Sequence, residues 1–164
     1  MQRPLILIFM GVTGTGKTTV AKLFAEKTGA AFYEGDDFHS PANIAKMKEG
    51  IPLNDEDREG WLRALRDVIV KSLAKNELAS MTCSALKAKY RAQLQAGDER
   101  VKFVHLTGPP QLIAERLNHR TGHFMPPALL DSQFAILEPP TDTLTFSVEK
   151  SPEEIVEELI EALA

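Results

Sequence analysis

A single cysteine, Cys83, stands in a chain of 164 residues, so no internal disulfide can hold the fold and a hydrophobic core has to do so. A chain of this length removes about two-thirds of its unfolded surface from water as one domain. Cys83 follows the apolar stretch Met81-Thr82 and reads as a small buried hydrophobe of a reducing cytosol, not as a reactive thiol. Long apolar runs are missing too. None approaches ~18 residues and no charged-then-apolar leader precedes the first strand, so the expected location is cytoplasmic, without membrane contact. Positive charge is not in excess: 19 Lys and Arg stand against 23 Asp and Glu, for a net charge of -4. That argues against a nucleic-acid partner, and any anion has to be met by cations at particular places. No repeat, linker or low-complexity tract divides residues 1–164, which are expected to form one domain.

What is present is concentrated near the start. Gly11-Val12-Thr13-Gly14-Thr15-Gly16-Lys17-Thr18 is a complete G-x-x-x-x-G-K-[ST] phosphate-binding loop. The apolar run Leu5 to Met10 directly before it reads as a buried strand. Glycines at three loop positions permit the backbone angles that turn successive N–H groups onto phosphate oxygens. Lys17 reaches the β- and γ-phosphates, the Thr18 hydroxyl is placed to ligate magnesium, and Thr19 continues the nucleotide-binding stretch. From Lys17 to about Thr28 a helix is expected, with Val20, Ala21, Phe24 and Ala25 on its apolar face and its positive end toward the anion.

Strand-like and helical segments then alternate, which predicts an α/β fold with a five-stranded parallel sheet covered by helices on both faces. Ala31-Phe32-Tyr33 reads as a second strand, expected to lie beside the first, and it ends at Glu34-Gly35-Asp36-Asp37. Asn54 caps a helix whose first turn is acidic and whose stripe of Trp61, Leu62, Leu65, Val68, Ile69 and Leu73 reads as core. Further strands are expected at about 78–83, 101–106 and 144–148. Between them lie helices bearing Tyr90, Arg91 and Leu94, and running from 111 to 118. Ser151-Pro152-Glu153-Glu154 is a capping box that opens the last helix. The polar, poorly periodic stretch from about 116 to 127 reads as a mobile lid.

The loop implies ATP and magnesium; the reaction has to come from elsewhere. No Asn-Lys-x-Asp run reads guanine, and no apolar strand ends in a lone Asp backed by Glu as in a mechanical ATPase. A short chain with an arginine-bearing lid points to a kinase of small molecules. Asp36, at the carboxyl end of a strand, is the candidate base that orients the acceptor hydroxyl, with Glu34 paired to it. Arg116 and Arg120 lie four apart, so they project from one helix face. By analogy with small kinases one stacks on adenine and the other reaches the transferring phosphoryl; Arg120 is also a catalytic candidate, and the division of labour stays open. The junction from Val148 to Pro152 is a further candidate for the adenine edge.

The chain resembles the gluconate kinase family of small ATP-dependent enzymes. The resemblance runs through Glu34-Gly35-Asp36-Asp37-Phe38-His39, Pro41-Ala42-Asn43-Ile44-Ala45-Lys46-Met47, Pro52-Leu53-Asn54-Asp55-Glu56-Asp57-Arg58, Cys83-Ser84-Ala85-Leu86-Lys87 with Tyr90-Arg91, and Arg120-Thr121-Gly122-His123-Phe124 followed by Ser132-Gln133-Phe134 and Leu137-Glu138-Pro139. It implies phosphoryl transfer to the 6-hydroxyl of D-gluconate, a three-layer fold similar to adenylate and shikimate kinases, and a homodimer. A sugar acid asks for a cation and hydroxyl readers. Arg58, Lys87 and Arg91 are the candidate cations, with His39, Asn43, Lys46 and Ser84 as hydrogen-bonding partners and His123 from the lid. His105, inside a strand, reads as structural. The rival readings are a kinase of another hydroxylated acid, such as shikimate, and a non-catalytic ATP-binding switch.

Overall fold

The computed structural model describes residues 5–118, 128–141 and 143–164. The polar-free run at the start forms β1 (Ile6–Met10), buried at every residue. A strand apolar on both faces belongs at the centre of a sheet that helices cover on both sides. There it pairs in parallel with β3 (Ala79–Thr82) on one edge and β4 (Val101–Thr107) on the other. β2 (Ala31–Tyr33) adds outside β3 and β5 (Leu144–Ser147) outside β4, giving the parallel order β2-β3-β1-β4-β5.

One expectation is corrected by this order. β2 does not lie beside β1, because β3 stands between them. Burial explains the choice: β3 is buried along its whole length, whereas β2 is three residues long and half-buried throughout, which suits an edge.

Seven helices join the described strands: α1 (Lys17–Thr28), α2 (Pro41–Lys48), α3 (Asp55–Ala74), α4 (Ala88–Gln95), α5 (Pro110–Asn118), α6 (Ala128–Ile136) and α7 (Pro152–Leu163). The pleat of β1 sorts them. Leu7 and Phe9 pack with Val20 and Phe24 of α1, Ile113 of α5 and Ile155 and Leu159 of α7. Ile6, Ile8 and Met10 pack instead with Trp61, Leu65 and Ile69 of α3 and Leu94 of α4. Each such fully buried large side chain contributes about 1.5–3 kcal/mol of transfer free energy. Cys83 belongs to the second core, where burial pushes its thiol up to about 12, in keeping with the inert reading.

The expected capping box at Ser151 forms with Glu154, and Asn54, expected as a cap, forms a full capping box with Asp57. The sequence reading left α2 out. Its start signal, Ser40 accepting from the Asn43 N–H ahead of Pro41 at the first turn, is present, but eight residues give too little periodicity to announce a helix.

Candidate active site

β1 delivers the chain to the phosphate loop, whose shape is fixed by its own atoms. The Gly11 N–H donates to the Ser84 carbonyl at 3.2 Å, and the Thr15 hydroxyl donates back to the Val12 carbonyl at 3.0 Å. Gly14 has φ +85 and lies so close to α5 that an added Cβ would stand 2.8 Å from Leu117 Cγ. No other residue satisfies both demands. α1 begins after Gly16 with no side-chain cap, so its first N–H groups are available to an anion. The Lys17 ammonium lies back along the loop, donating to the Gly11 and Val12 carbonyls at 3.0 Å each.

Next to the lysine, Thr18 donates its hydroxyl to one Glu34 oxygen at 2.6 Å, and Thr82 at the end of β3 donates to the other. Glu34 thus ties the end of β2 to both the helix and the sheet. Thr18 and Glu34 bring hard oxygen atoms together, the donor chemistry that magnesium takes.

Asp36 sits in the short 3-10 turn Gly35–Phe38. That turn presses against β3 so closely that a Cβ on Gly35 would come 1.8 Å from the Thr82 carbonyl oxygen. The Gly35 N–H donates to the Thr82 hydroxyl at 2.9 Å and its carbonyl accepts the Trp61 indole N–H at 2.8 Å. This inward lean carries Asp36 across β3 to the loop lysine although β2 is remote from β1. Burial raises the Asp36 carboxyl above the ordinary carboxylate range; Lys17 pulls it down, while Glu34 and Asp37 add to the rise.

His39 lies flat on Trp61, with ring centroids 4.1 Å apart and planes 17° from parallel. Burial first, and Arg58 second, lower it to about 4, so the ring is neutral at pH 7. Arg58 is itself buried, donating from Nη1 to the Leu53 carbonyl at 2.7 Å and to the Tyr90 hydroxyl at 3.2 Å. Tyr90 in turn donates to Asp55.

Lys17, Thr18, Glu34, Asp36, His39, Trp61 and Arg58 line one cavity of about 360 Å³, together with Ser84, Ser132 and Gln133. Such a volume is at the small end of ligand sites. Of the sequence candidates, Thr13, Gly14, Gly16, Lys17, Thr18, Thr19, Asp36, His39, Arg58 and Ser84 are on its wall. Gly11, Val12 and Thr15 lie in the loop but off this wall, and Asn43, Lys46, Lys87 and Arg91 are not brought there. Asn43 stands behind His39; Lys46 pairs with Asp57 at 2.9 Å and Lys87 with Asp55 at 3.1 Å. Arg91 donates to the carbonyls of Ala85 and Glu138, tying α4 to the segment after α6. Arg116 is exposed on α5; Arg120, His119, His123 and most of the expected lid lie outside the described residues. His105 is buried within β4, and its imidazole is lowered by burial, then by Arg91 and Lys17, as a structural histidine would be.

The sequence reading missed Trp61 and Gln133 as wall residues. Trp61 was absorbed into the apolar stripe of α3, which it also serves. Gln133, whose Oε1 accepts the Thr13 N–H at 2.6 Å, belongs to the motif Ser132-Gln133-Phe134, whose residue types alone point to no particular chemistry.

A parallel sheet in this strand order, with its phosphate loop opening on a metabolite-sized cavity, makes the protein an ATP-dependent phosphotransferase of the P-loop kinase class. A family model for shikimate kinase matches residues 13–164. The probable gluconokinase of Rattus norvegicus is 45% identical, over 99% of this chain and 100% of that protein. The gluconokinase of Gluconobacter oxydans is 47% identical, over 96% of this chain and 90% of that protein. A crystal structure of a sugar kinase from Janibacter sp. superposes with a TM-score of 0.91 at 44% identity, covering 98% of this chain and 94% of that one. The chain belongs to the gluconokinase family, within the shikimate kinase group of P-loop domains.

Proposed function

We propose that the protein transfers the γ-phosphoryl group of ATP to the 6-hydroxyl of D-gluconate, giving 6-phosphogluconate and ADP. The observation that carries this reading is the sharing of one cavity by Lys17 of the phosphate loop, Asp36 and Arg58. Phosphoryl transfer needs positioning and charge neutralisation more than covalent help. The loop amides and Lys17 hold the triphosphate. Asp36 accepts the proton of the acceptor hydroxyl as its oxygen bonds to the γ-phosphorus and the bond to the bridging β,γ-oxygen breaks, the electron pair leaving with ADP. A carboxyl held above the ordinary carboxylate range is a stronger base than an unshifted one. Arg58, already oriented by Leu53 and Tyr90, meets the sugar carboxylate.

Magnesium fits beside Thr18 and Glu34, where it would neutralise phosphate charge. Arg116, with Arg120, serves the nucleotide side. We carry a cytoplasmic homodimer with this reading, the resemblance to gluconate kinases being its support. Incubation with ATP and D-gluconate, followed by phosphorus NMR, tests the reaction: a phosphate ester on carbon 6 is expected, and ester formation at another carbon, or none, overturns it.

A further inference from the structure

Asn43 was expected to touch substrate, but its amide is spent elsewhere. It is 5% exposed, and its Nδ2 lies 2.8 Å from the Asp57 carbonyl oxygen and 3.3 Å from His39 Nδ1. The first contact decides the second. A backbone carbonyl only accepts, so the amide nitrogen and not the amide oxygen faces Asp57. The other hydrogen of that nitrogen is then directed at Nδ1, which has to accept it. A neutral imidazole that accepts at Nδ1 carries its own hydrogen on Nε2.

The ring has no freedom to escape this assignment. Trp61 covers its face, and the indole is pinned in turn by the Gly35 carbonyl. Nε2 points along the cavity wall toward Asp36, with 3.8 Å between Nε2 and Oδ1. That gap is too long for a direct hydrogen bond, and an oxygen atom about 2.8 Å from each would close it. The pair therefore offers one donor and one acceptor at the spacing that a single hydroxyl group takes.

We infer that Asn43 is a positioning residue that locks His39 as the Nε2–H tautomer, and that His39 and Asp36 together read the acceptor hydroxyl, His39 donating to its oxygen and Asp36 accepting its hydrogen. The remaining lone pair of that oxygen is then aimed rather than free to rotate. The inference rests on the kinase reading above, but the tautomer itself is observable without any substrate.

Nitrogen-15 imidazole NMR on the full-length, ligand-free protein labelled at histidine supplies the test, with the His39 signals assigned by their loss in His39→Gln. A neutral Nε2–H ring at pH 7 is expected in the wild type. Asn43→Asp reverses the demand on Nδ1 from acceptor to donor, so the ring has to place a hydrogen there, as the other tautomer or as imidazolium. In turnover, His39→Gln reaches the Nε2 position with an amide donor and is expected within about tenfold of wild type, whereas His39→Asn reaches only the Nδ1 position and loses roughly 10²-fold in kcat, a common size for a lost orienting contact. The Michaelis constant for ATP stays unchanged in both. An Nδ1–H ring in the wild type, or equal losses in the two His39 variants, would overturn the proposal. The wild-type spectrum decides even if Asn43→Asp fails to fold. An Nε2–H ring in a protein that does not phosphorylate gluconate would support the lock and overturn the proposed function instead.

Discussion

The two walls of the cavity are built on different principles. The wall proposed for the phosphates is a single stretch of chain, drawn from residues 13–19, of the kind in which backbone N–H groups and a helix end meet an anion. The acceptor wall is assembled from side chains of separate segments, each braced by another: His39 by Trp61 and Asn43, Arg58 by Leu53 and Tyr90, Tyr90 by Asp55. Backbone recognition suits a ligand shared by many enzymes, because it needs only a loop shape. Recognition by braced side chains suits a particular acceptor, because replacing one brace re-aims one contact without disturbing the nucleotide. Damage to the first wall should therefore remove all activity, and damage to the second should change the acceptor side alone.

The sharpest break in that contrast comes from Lys17→Ala, which removes the cation that the proposed function places at the β- and γ-phosphates. Turnover should fall by a factor on the order of 10⁴ or more, with the circular dichroism spectrum unchanged. Asp36→Asn should lower kcat by roughly 10² to 10⁴ while ATP affinity, followed by fluorescent-nucleotide titration, hardly moves.

The same variant carries a stability signature of fixed sign. Burial raises the folded-state Asp36 above its unfolded value, so the stability this carboxyl contributes is present below its unfolded pKa and is lost as pH rises through the folded one. Asn has no such loss. The Tm of Asp36→Asn should exceed that of wild type at pH 7, and the advantage should shrink as the solution is acidified.

Arg58→Leu tests the acceptor wall with a smaller effect. With Arg58 in its proposed role opposite the sugar carboxylate, its removal should raise the Michaelis constant for gluconate about 10- to 100-fold and that for ATP much less. A parallel rise in both would mean that the two walls are not independent. The smallest effect is a control outside either wall: Arg100→Ala removes an ion pair with Asp98, changing stability little, as is usual for a surface pair, and leaving the kinetic constants for both substrates within twofold.

The same contrast explains what could be read from the chain. β1, the loop and α1 follow one another without interruption, so strand, glycine spacing and helix were visible as a single local pattern. Capping at Asn54 and Ser151 is equally local. Strand order is not local: that β3 rather than β2 neighbours β1 depends on which strand can be buried on both faces, a property of the packed sheet. Nor could the chain show which cations were already taken. Lys46, Lys87 and Arg91 carry the same charge as Arg58 and sit in equally suggestive motifs, yet three-dimensional partners far away in sequence, Asp57, Asp55 and the Glu138 carbonyl, engage them. Trp61 shows the reverse case, a residue that the helical period assigns to the core and that also lines the cavity and stacks on His39.

The central claim is that the braced wall is cut for gluconate. Steady-state ADP release should be measured with the wild-type protein, ATP and magnesium across a panel containing D-gluconate, other aldonates and shikimate. D-gluconate should give the highest kcat/KM, with at least a tenfold margin over each alternative, and ADP release should be negligible without an acceptor. A preference for shikimate or another aldonate, or ADP release that ignores the acceptor, would contradict the account.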